Sequence, residues 1–151
     1  MEYRTLVRSG CAVSTQCLGT MTFGNESDEK VSHAQLDRFA EAGGTFVDTA
    51  DVYSAGESER IIGHWYASRP ADLTDRIVLA TKGRFPMADE PNGAGLSARH
   101  LTRALDASLR RLGLDSIDLY QAHAWDALTP LEETLRAMDT FVRSGKIRYY
   151  G

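Results

Sequence analysis

The stretch that decides the fold runs from residue 76 to residue 123 and reads RIVLATKGRFPMADEPNGAGLSARHLTRALDASLRRLGLDSIDLYQAH. It opens on a strand predicted at 76–82, whose apolar residues run from Ile77 to Ala80 and which ends in Lys82, a pattern typical of a buried strand. Ser97 can cap a helix and Gly113 can end it, and a second strand follows at 116–123. This order predicts two parallel strands joined by a crossover helix. The apolar positions of that helix recur at helical spacing, at Leu101, Ala104, Leu105, Leu109 and Leu112.

The same alternation extends to both sides of this unit. A hairpin is expected at the N-terminus, and further strands and helices alternate around the central pair. Together they predict an α/β protein with a hairpin, four strand–helix pairs and a fifth strand, and with no internal domain boundary over 1–151. The hairpin strands are expected at 3–7 and 12–14, and the other strands at 16–20, 45–48 and 146–151. Two further helices are expected, from Asp28 to Gly43 and from Ser58 to Ala67. A last helix is expected to begin near Thr129 and to end at Gly145.

The last of these helices is expected to begin with a capping box. Thr129 and Glu132 have the spacing of that motif, with Pro130 in the first helical position. Its buried face is expected to carry four apolar residues, Leu131, Leu135, Met138 and Val142.

Composition narrows the class of protein. Of 151 residues, 42% are hydrophobic and 25% are charged, which is ordinary for a soluble globular chain. A formal net charge of −4 argues against a nucleic-acid partner. No stretch approaches the ~20 apolar residues of a membrane span, so no membrane association is expected. Cys11 and Cys17 are too far apart for a CxxC motif, and such sparse cysteine usage favours reduced thiols in the cytoplasm.

Three consecutive predicted strands end in an ionisable residue. Asp48, Lys82 and His123 occupy these ends, and Tyr53 follows Asp48 after a short loop. Because ligands bind at the carboxyl ends of parallel strands, we expect the four side chains to converge. A lysine ammonium stabilises a neighbouring phenolate, a carboxylate orients the lysine, and a histidine can point a ring nitrogen at a substrate oxygen. The set can donate a proton to a carbonyl oxygen, and a cofactor would have to supply the hydride.

The segments around these residues resemble consecutive signatures of the aldo-keto reductase superfamily. The similar segments read GTMTFG at 19–24, FVDTADVYS at 46–54, ATK at 80–82 and LDSIDLYQAH at 114–123. The likeness runs from about residue 3 to residue 151, and it is closest to bacterial members related to the potassium-channel β-subunits and the general stress reductases. It implies the N-terminal part of a (β/α)8 TIM barrel whose base the hairpin plugs, with about five of its eight strands present.

The resemblance also implies a reaction, the NADPH-dependent reduction of an aldehyde or ketone. Tyr53 would be the general acid, Lys82 and Asp48 would support it, and His123 would orient the substrate carbonyl. Trp125 is a candidate for the substrate pocket. The cofactor would lie beside Gly19, Thr20, Met21 and Asp48, and the sequence contains no GxGxxG fingerprint of the Rossmann type.

The length departs from that expectation, since a (β/α)8 barrel needs about 250 residues. A truncated chain would lack most of the cofactor site, so an inactive half-barrel that acts as a binding or assembly module is the alternative. Exposed sheet edges would favour self-association. A metal hydrolase on the same fold is disfavoured and no metal site is expected, because His33, His64 and His100 are expected on helix surfaces.

Overall fold

A computed structural model describes residues 1–6 and 8–151. It begins with an antiparallel hairpin of β1 (Tyr3–Thr5) and β2 (Ala12–Ser14). The expected first strand extended to Val7, which lies outside the described residues. The hairpin docks on the main sheet through two reciprocal bonds: the Ser14 amide donates to Thr45 Oγ1 at 2.9 Å, and the Thr45 amide donates to Ser14 Oγ at 3.0 Å.

The main sheet has five parallel strands arranged in chain order. They are β3 (Cys17–Gly19), β4 (Phe46–Asp48), β5 (Val78–Gly83), β6 (Ile117–Ala122) and β7 (Ile147–Tyr150). The register aligns Gly19 with Asp48 and Asp48 with Ala80, so the carboxyl ends lie along one rim. The predicted parallel α/β architecture is confirmed. It has the strand–helix order with which a (β/α)8 barrel begins.

The connections are helical, and the N-cap at Ser97 and the helix start near Asp28 agree with the sequence prediction. Asp28 accepts a hydrogen bond from the Val31 amide at 2.8 Å, and Ser97 accepts one from the His100 amide at 3.2 Å. A short helix, α3, has no sequence signal because four residues carry no period. The helices are α1 (Glu29–Glu41), a 3-10 turn (Tyr53–Gly56), α2 (Glu57–Ser68), α3 (Ala71–Thr74), α4 (Ala98–Leu112) and α5 (Leu131–Arg143).

Helix α5 departs from its expected cap and its expected face. The capping box is wrong, because Pro130 is the N-cap residue and the Thr129 hydroxyl donates to Asp126 Oδ2 at 2.7 Å instead. Leu131 and Leu135 are 49% and 44% exposed. The helix is rotated so that a neighbouring stripe of i, i+3, i+4 and i+7 positions faces inward. The buried members of that stripe are Thr134, Ala137, Met138 and Phe141.

The core lies between the sheet and the helices. Trp65 of α2, Leu105 of α4 and Tyr120 of β6 are fully buried within one continuous apolar cluster. Burial of this kind is the dominant stabilising term for such a sheet. Among the described residues, no helix is both long enough and apolar enough to cross a bilayer.

Candidate active site

The site lies on the rim formed by the carboxyl ends of the strands. Asp48 ends β4, Lys82 is the last residue but one of β5, and His123 directly follows β6. The loops are tied back to the neighbouring strand, since the Asp51 amide donates to the Lys82 carbonyl at 3.1 Å and the His123 amide donates to the Gly83 carbonyl at 3.2 Å. Parallel pairing therefore fixes the spacing of the functional side chains.

Lys82 is the centre of the arrangement. Its Nζ donates to Asp48 Oδ2 at 2.6 Å, to the Thr49 carbonyl at 2.8 Å and to Tyr53 Oη at 3.3 Å. The Lys82 side chain is 12% exposed and that of Asp48 is 26% exposed, so water screens the pair only partly. The ammonium thus links a carboxylate to a phenol, as the sequence predicts for these strand ends.

His123 completes the group of four. Its ring stands edge-on to the Tyr53 ring, with centroids 5.8 Å apart and an interplanar angle of 81°. Phe85 contacts the ring from another direction at 4.8 Å and 73°. Burial lowers the pKa of His123 and the nearby Lys82 cation lowers it further, more than Asp48 raises it, which favours the neutral imidazole. Nδ1 is buried and has no hydrogen-bond partner among the described residues.

Phe85 is a site residue that the sequence did not single out. It lies two residues past the end of β5, in a loop rich in proline and glycine, where an aromatic residue has no periodic context. Its position just beyond a strand end was the only available signal.

The residues expected beside the cofactor differ in how far they are exposed. Gly19 and Met21 are exposed, and Met21 is 66% exposed. Thr20 is fully buried, and its hydroxyl donates to the Asp48 carbonyl at 3.0 Å while lying 2.9 Å from Ser58 Oγ. Thr20 therefore braces the ends of β3 and β4 against each other. Trp125, which follows His123 by two residues, is 67% exposed.

A second charged cluster, which we call the buried cluster, lies behind the rim and comprises Asp51, Glu59, Thr81, Arg111 and Tyr120. Glu59 is fully buried, accepting from Arg111 Nε at 2.6 Å and from Thr81 Oγ1 at 2.6 Å. Asp51 is also fully buried, and neither of its carboxylate oxygens accepts a well-formed hydrogen bond from the described residues. Burial raises the pKa of Asp51 to about 7, and the Glu59 carboxylate contributes to the rise. Burial also raises the pKa of the Tyr120 phenol.

The histidines outside the rim do not converge. Among the described residues, no three histidine, cysteine or carboxylate side chains are grouped as metal ligands would be. The expectation that all of these histidines are on the surface is wrong for two of them. His33 Nε2 lies 2.9 Å from the Ile61 carbonyl, and His100 is only 5% exposed, with Nδ1 3.1 Å from the Asn92 carbonyl. Both are helix residues with one ring nitrogen close to a backbone carbonyl, and the Nε2 of His100 is buried with no hydrogen-bond partner among the described residues.

Comparisons with known proteins agree with this geometry. The sequence profile of the aldo/keto reductase family matches residues 16–151. An uncharacterised oxidoreductase of Bacillus subtilis, YrpG, is 43% identical over all of the chain and 48% of its own length. Norsolorinic acid reductase A of Aspergillus parasiticus is 40% identical over 95% of the chain and 40% of its own length. A probable voltage-gated potassium channel subunit beta of Oryza sativa is 40% identical over all of the chain and 46% of its own length.

The chain spans about half the length of the curated relatives it matches, or somewhat less. The matched region contains every strand of the parallel sheet and all four residues of the rim. On this match, the chain belongs to the aldo/keto reductase family.

Proposed function

We propose that this chain carries the acid–base centre of a carbonyl reductase that reduces an aldehyde or ketone to an alcohol with NADPH. The observation that carries the proposal is the position of Lys82 Nζ, 2.6 Å from Asp48 Oδ2 and 3.3 Å from Tyr53 Oη. The relatives named as reductases support carbonyl reduction as the reaction class.

In the proposed reaction, Tyr53 is the general acid. Its hydroxyl transfers a proton to the carbonyl oxygen as the carbonyl carbon is reduced, which leaves a phenolate on Tyr53. Lys82 stabilises that phenolate through its ammonium group, and Asp48 holds the ammonium in place. A solvent proton then restores the phenol.

His123 orients the substrate in this scheme. The lowered pKa of His123 favours the neutral ring, which adds no second positive charge beside Lys82. Nδ1 is buried and has no partner within the part of the chain that the structure describes, so we assign Nε2 to the substrate oxygen. Trp125 is exposed just beyond His123 and is proposed to line the substrate pocket.

Open space on the rim supports a place for a flat hydride-carrying ring. Among the described residues, a Cβ built on Gly19 would meet nothing within 4 Å, and Met21 is exposed, so the surface next to Asp48 is open. We propose that Gly19, Met21 and Asp48 border the nicotinamide, and that Thr20 supports them from below. NADPH, when bound, supplies the hydride that reduces the carbonyl carbon.

The test measures carbonyl-dependent NADPH oxidation by the 151-residue chain, together with NADPH binding by fluorescence quenching. Tyr53→Phe is expected to lower turnover by at least ~100-fold, because it removes the proton donor and leaves the ring in place. Tyr150→Phe, at an exposed tyrosine, is the matched control and is expected to match the parent. Absence of both NADPH binding and carbonyl-dependent oxidation would overturn the proposal for this chain.

A catalytically inactive binding or assembly module is the second candidate. The similarity to a probable potassium channel subunit beta favours it. Tyr53→Phe distinguishes the two candidates. The substitution lowers carbonyl turnover if the chain is a reductase, and it leaves turnover unchanged if the chain is a binding module.

We also propose that the chain self-associates and is located in the cytoplasm. Strands β3 and β7 are the two edges of the parallel sheet among the described residues, and an unpaired edge invites a further strand. Both cysteines are free thiols, in keeping with a reducing compartment. Sedimentation is expected to show oligomers, and a monodisperse monomer with a cooperative melt would contradict self-association.

A further inference from the structure

The chain makes an uncommon turn directly after Tyr53. Ser54 has φ 49° and ψ 39°, and Ala55 has φ 54° and ψ 39°, so both lie in the left-handed region. Gly56 follows with φ 89°. Consecutive residues with side chains rarely adopt this conformation, and such strain persists only where the surroundings hold it in place.

Two contacts hold the turn at its ends. The Ser54 hydroxyl donates to the carbonyl of Phe23 at 2.7 Å, and Phe23 is fully buried. At the other end, a Cβ on Gly56 would lie 2.7 Å from the Cδ of Arg111, so the backbone is packed against that side chain. Ala55, between them, is exposed.

The anchor on the Phe23 side is itself fixed. The Phe23 amide donates to the Thr20 carbonyl at 3.0 Å, and the Thr20 hydroxyl donates to the Asp48 carbonyl at 3.0 Å. The Ser54 hydroxyl therefore connects the turn after Tyr53 to the same strand end that carries the carboxylate partner of Lys82.

We propose that Ser54 is a positioning residue for Tyr53. The Tyr53 amide donates to the Ala50 carbonyl at 3.2 Å, and the backbone then reverses at Ser54. Loss of the bond to Phe23 lets the strained turn relax, and the phenol then leaves its place beside Lys82. The expected change in turnover rests on the proposed function. The displacement of the Tyr53 phenol does not, because it can be observed without turnover.

The test uses four variants and follows them by NMR of the whole chain labelled with 13C at the ζ carbon of its 6 tyrosines. The Tyr53 resonance is identified by its absence from Tyr53→Phe. Ser54→Ala removes the hydroxyl and is expected to shift or broaden that resonance. Ala55→Gly relieves strain but keeps the bond, and Ser68→Ala removes an equally short 2.7 Å serine–carbonyl bond far from the rim. Both are expected to leave the resonance unchanged.

Turnover gives the second readout. Ser54→Ala is expected to lower kcat about tenfold with KM nearly unchanged, because a displaced general acid weakens the chemical step rather than binding. If Ser54→Ala fails to fold, Ser54→Gly replaces it, since glycine adopts the left-handed conformation freely and lacks the hydroxyl.

Each result decides one question. A Tyr53 resonance that is the same in Ser54→Ala or Ser54→Gly as in the parent overturns the positioning role. A displaced resonance combined with unchanged turnover in Tyr53→Phe upholds the role of Ser54 in placing the phenol and rejects the proposed reaction. The two failures are therefore distinguishable.

Discussion

The rim and the buried cluster contain the same kind of interaction, but the carboxylate is partly exposed on the rim and fully buried in the cluster. On the rim, Lys82 and Asp48 pair at 2.6 Å with side chains 12% and 26% exposed. In the buried cluster, Arg111 and Glu59 pair at 2.6 Å with side chains 13% and 0% exposed. The Lys82 pair also reaches a half-buried phenol, whereas the Arg111 pair lies beside the fully buried Asp51 and Tyr120.

The difference shows what burial does to a cation–carboxylate pair. A partly exposed pair loses little stability when it is broken but retains groups that a substrate can reach. A fully buried pair leaves an uncompensated charge when one partner is removed, so its disruption is costly. We therefore expect substitutions in the buried cluster to change stability and substitutions on the rim to change turnover.

The largest effect is expected for Arg111→Met. Removal of the guanidinium leaves Glu59 charged and fully buried, which should lower the free energy of unfolding by about 3–5 kcal/mol. Urea denaturation measures this quantity. Arg143→Met, which breaks an ion pair whose side chains are 80% and 49% exposed, is the control and should cost less than about 1 kcal/mol. If Arg111→Met, like Arg143→Met, lowered the free energy of unfolding by less than about 1 kcal/mol, the buried cluster would not differ from the rim in its effect on stability.

On the rim, Lys82→Met should lower turnover by at least 100-fold, about 2.7 kcal/mol, because the phenolate of Tyr53 loses its counter-ion. The free energy of unfolding should fall by only about 1 kcal/mol, since Asp48 is partly exposed to water. Steady-state NADPH oxidation and urea denaturation give the two numbers. A stability loss as large as that of Arg111→Met would show that the rim is structural.

Asp51→Asn should stabilise the chain in a pH-dependent way. The folded chain keeps the proton on Asp51 up to its pKa of about 7, whereas an unfolded aspartate releases it near pH ~3.9. The folded state therefore binds more protons between these values, and this group's contribution to stability falls as pH rises. Asparagine removes the ionisation cost, so we expect a gain in the free energy of unfolding of at most about 4 kcal/mol at pH 8 and less than about 1 kcal/mol at pH 4.

Unfolding curves across that pH range measure the gain. Asp89→Asn, at an exposed carboxylate, is the matched control and should give the same difference at both pH values. An Asp51→Asn effect that does not depend on pH would contradict a protonated Asp51.

The smallest effect concerns His123. The Lys82 cation is the second cause, after burial, of its lowered pKa. Lys82→Met should therefore raise the pKa of His123 relative to the parent, while burial still keeps it below the ordinary value. Titration followed by histidine NMR measures this shift. In the Arg143→Met control, the pKa of His123 should equal that of the parent. An equal change in the pKa of His123 in Lys82→Met and Arg143→Met would exclude a direct effect of Lys82.

The sequence was sufficient for the features that depend on local patterns. Apolar runs marked the parallel strands. Asp28 and Ser97 stand at helix starts, where their side-chain oxygens accept backbone amides, and Gly113 ends a helix in the left-handed conformation. The convergence of Asp48 and Lys82 followed from parallel topology alone, because neighbouring strand ends must share a rim.

Contacts between residues that are far apart in the chain could not be predicted from the sequence. Glu59 and Arg111 are 52 residues apart, and their pairing depends on how α2 meets α4. The rotation of α5 likewise depends on its neighbours, and the stripe containing Leu135 looked as apolar as the buried one. The left-handed conformation at Ser54 had no glycine to mark it.

The five-stranded sheet follows the order of the chain, and each strand after β3 pairs with the one before it. Each new strand can therefore dock on a finished neighbour while the ribosome is still extending the polypeptide, without waiting for a distant segment. Lys82 can meet Asp48 once β5 pairs with β4, and this contact does not require β6 to be in place. The proposed acid–base centre is thus among the earliest contacts that the nascent protein can form, and His123 joins it only when β6 is in place.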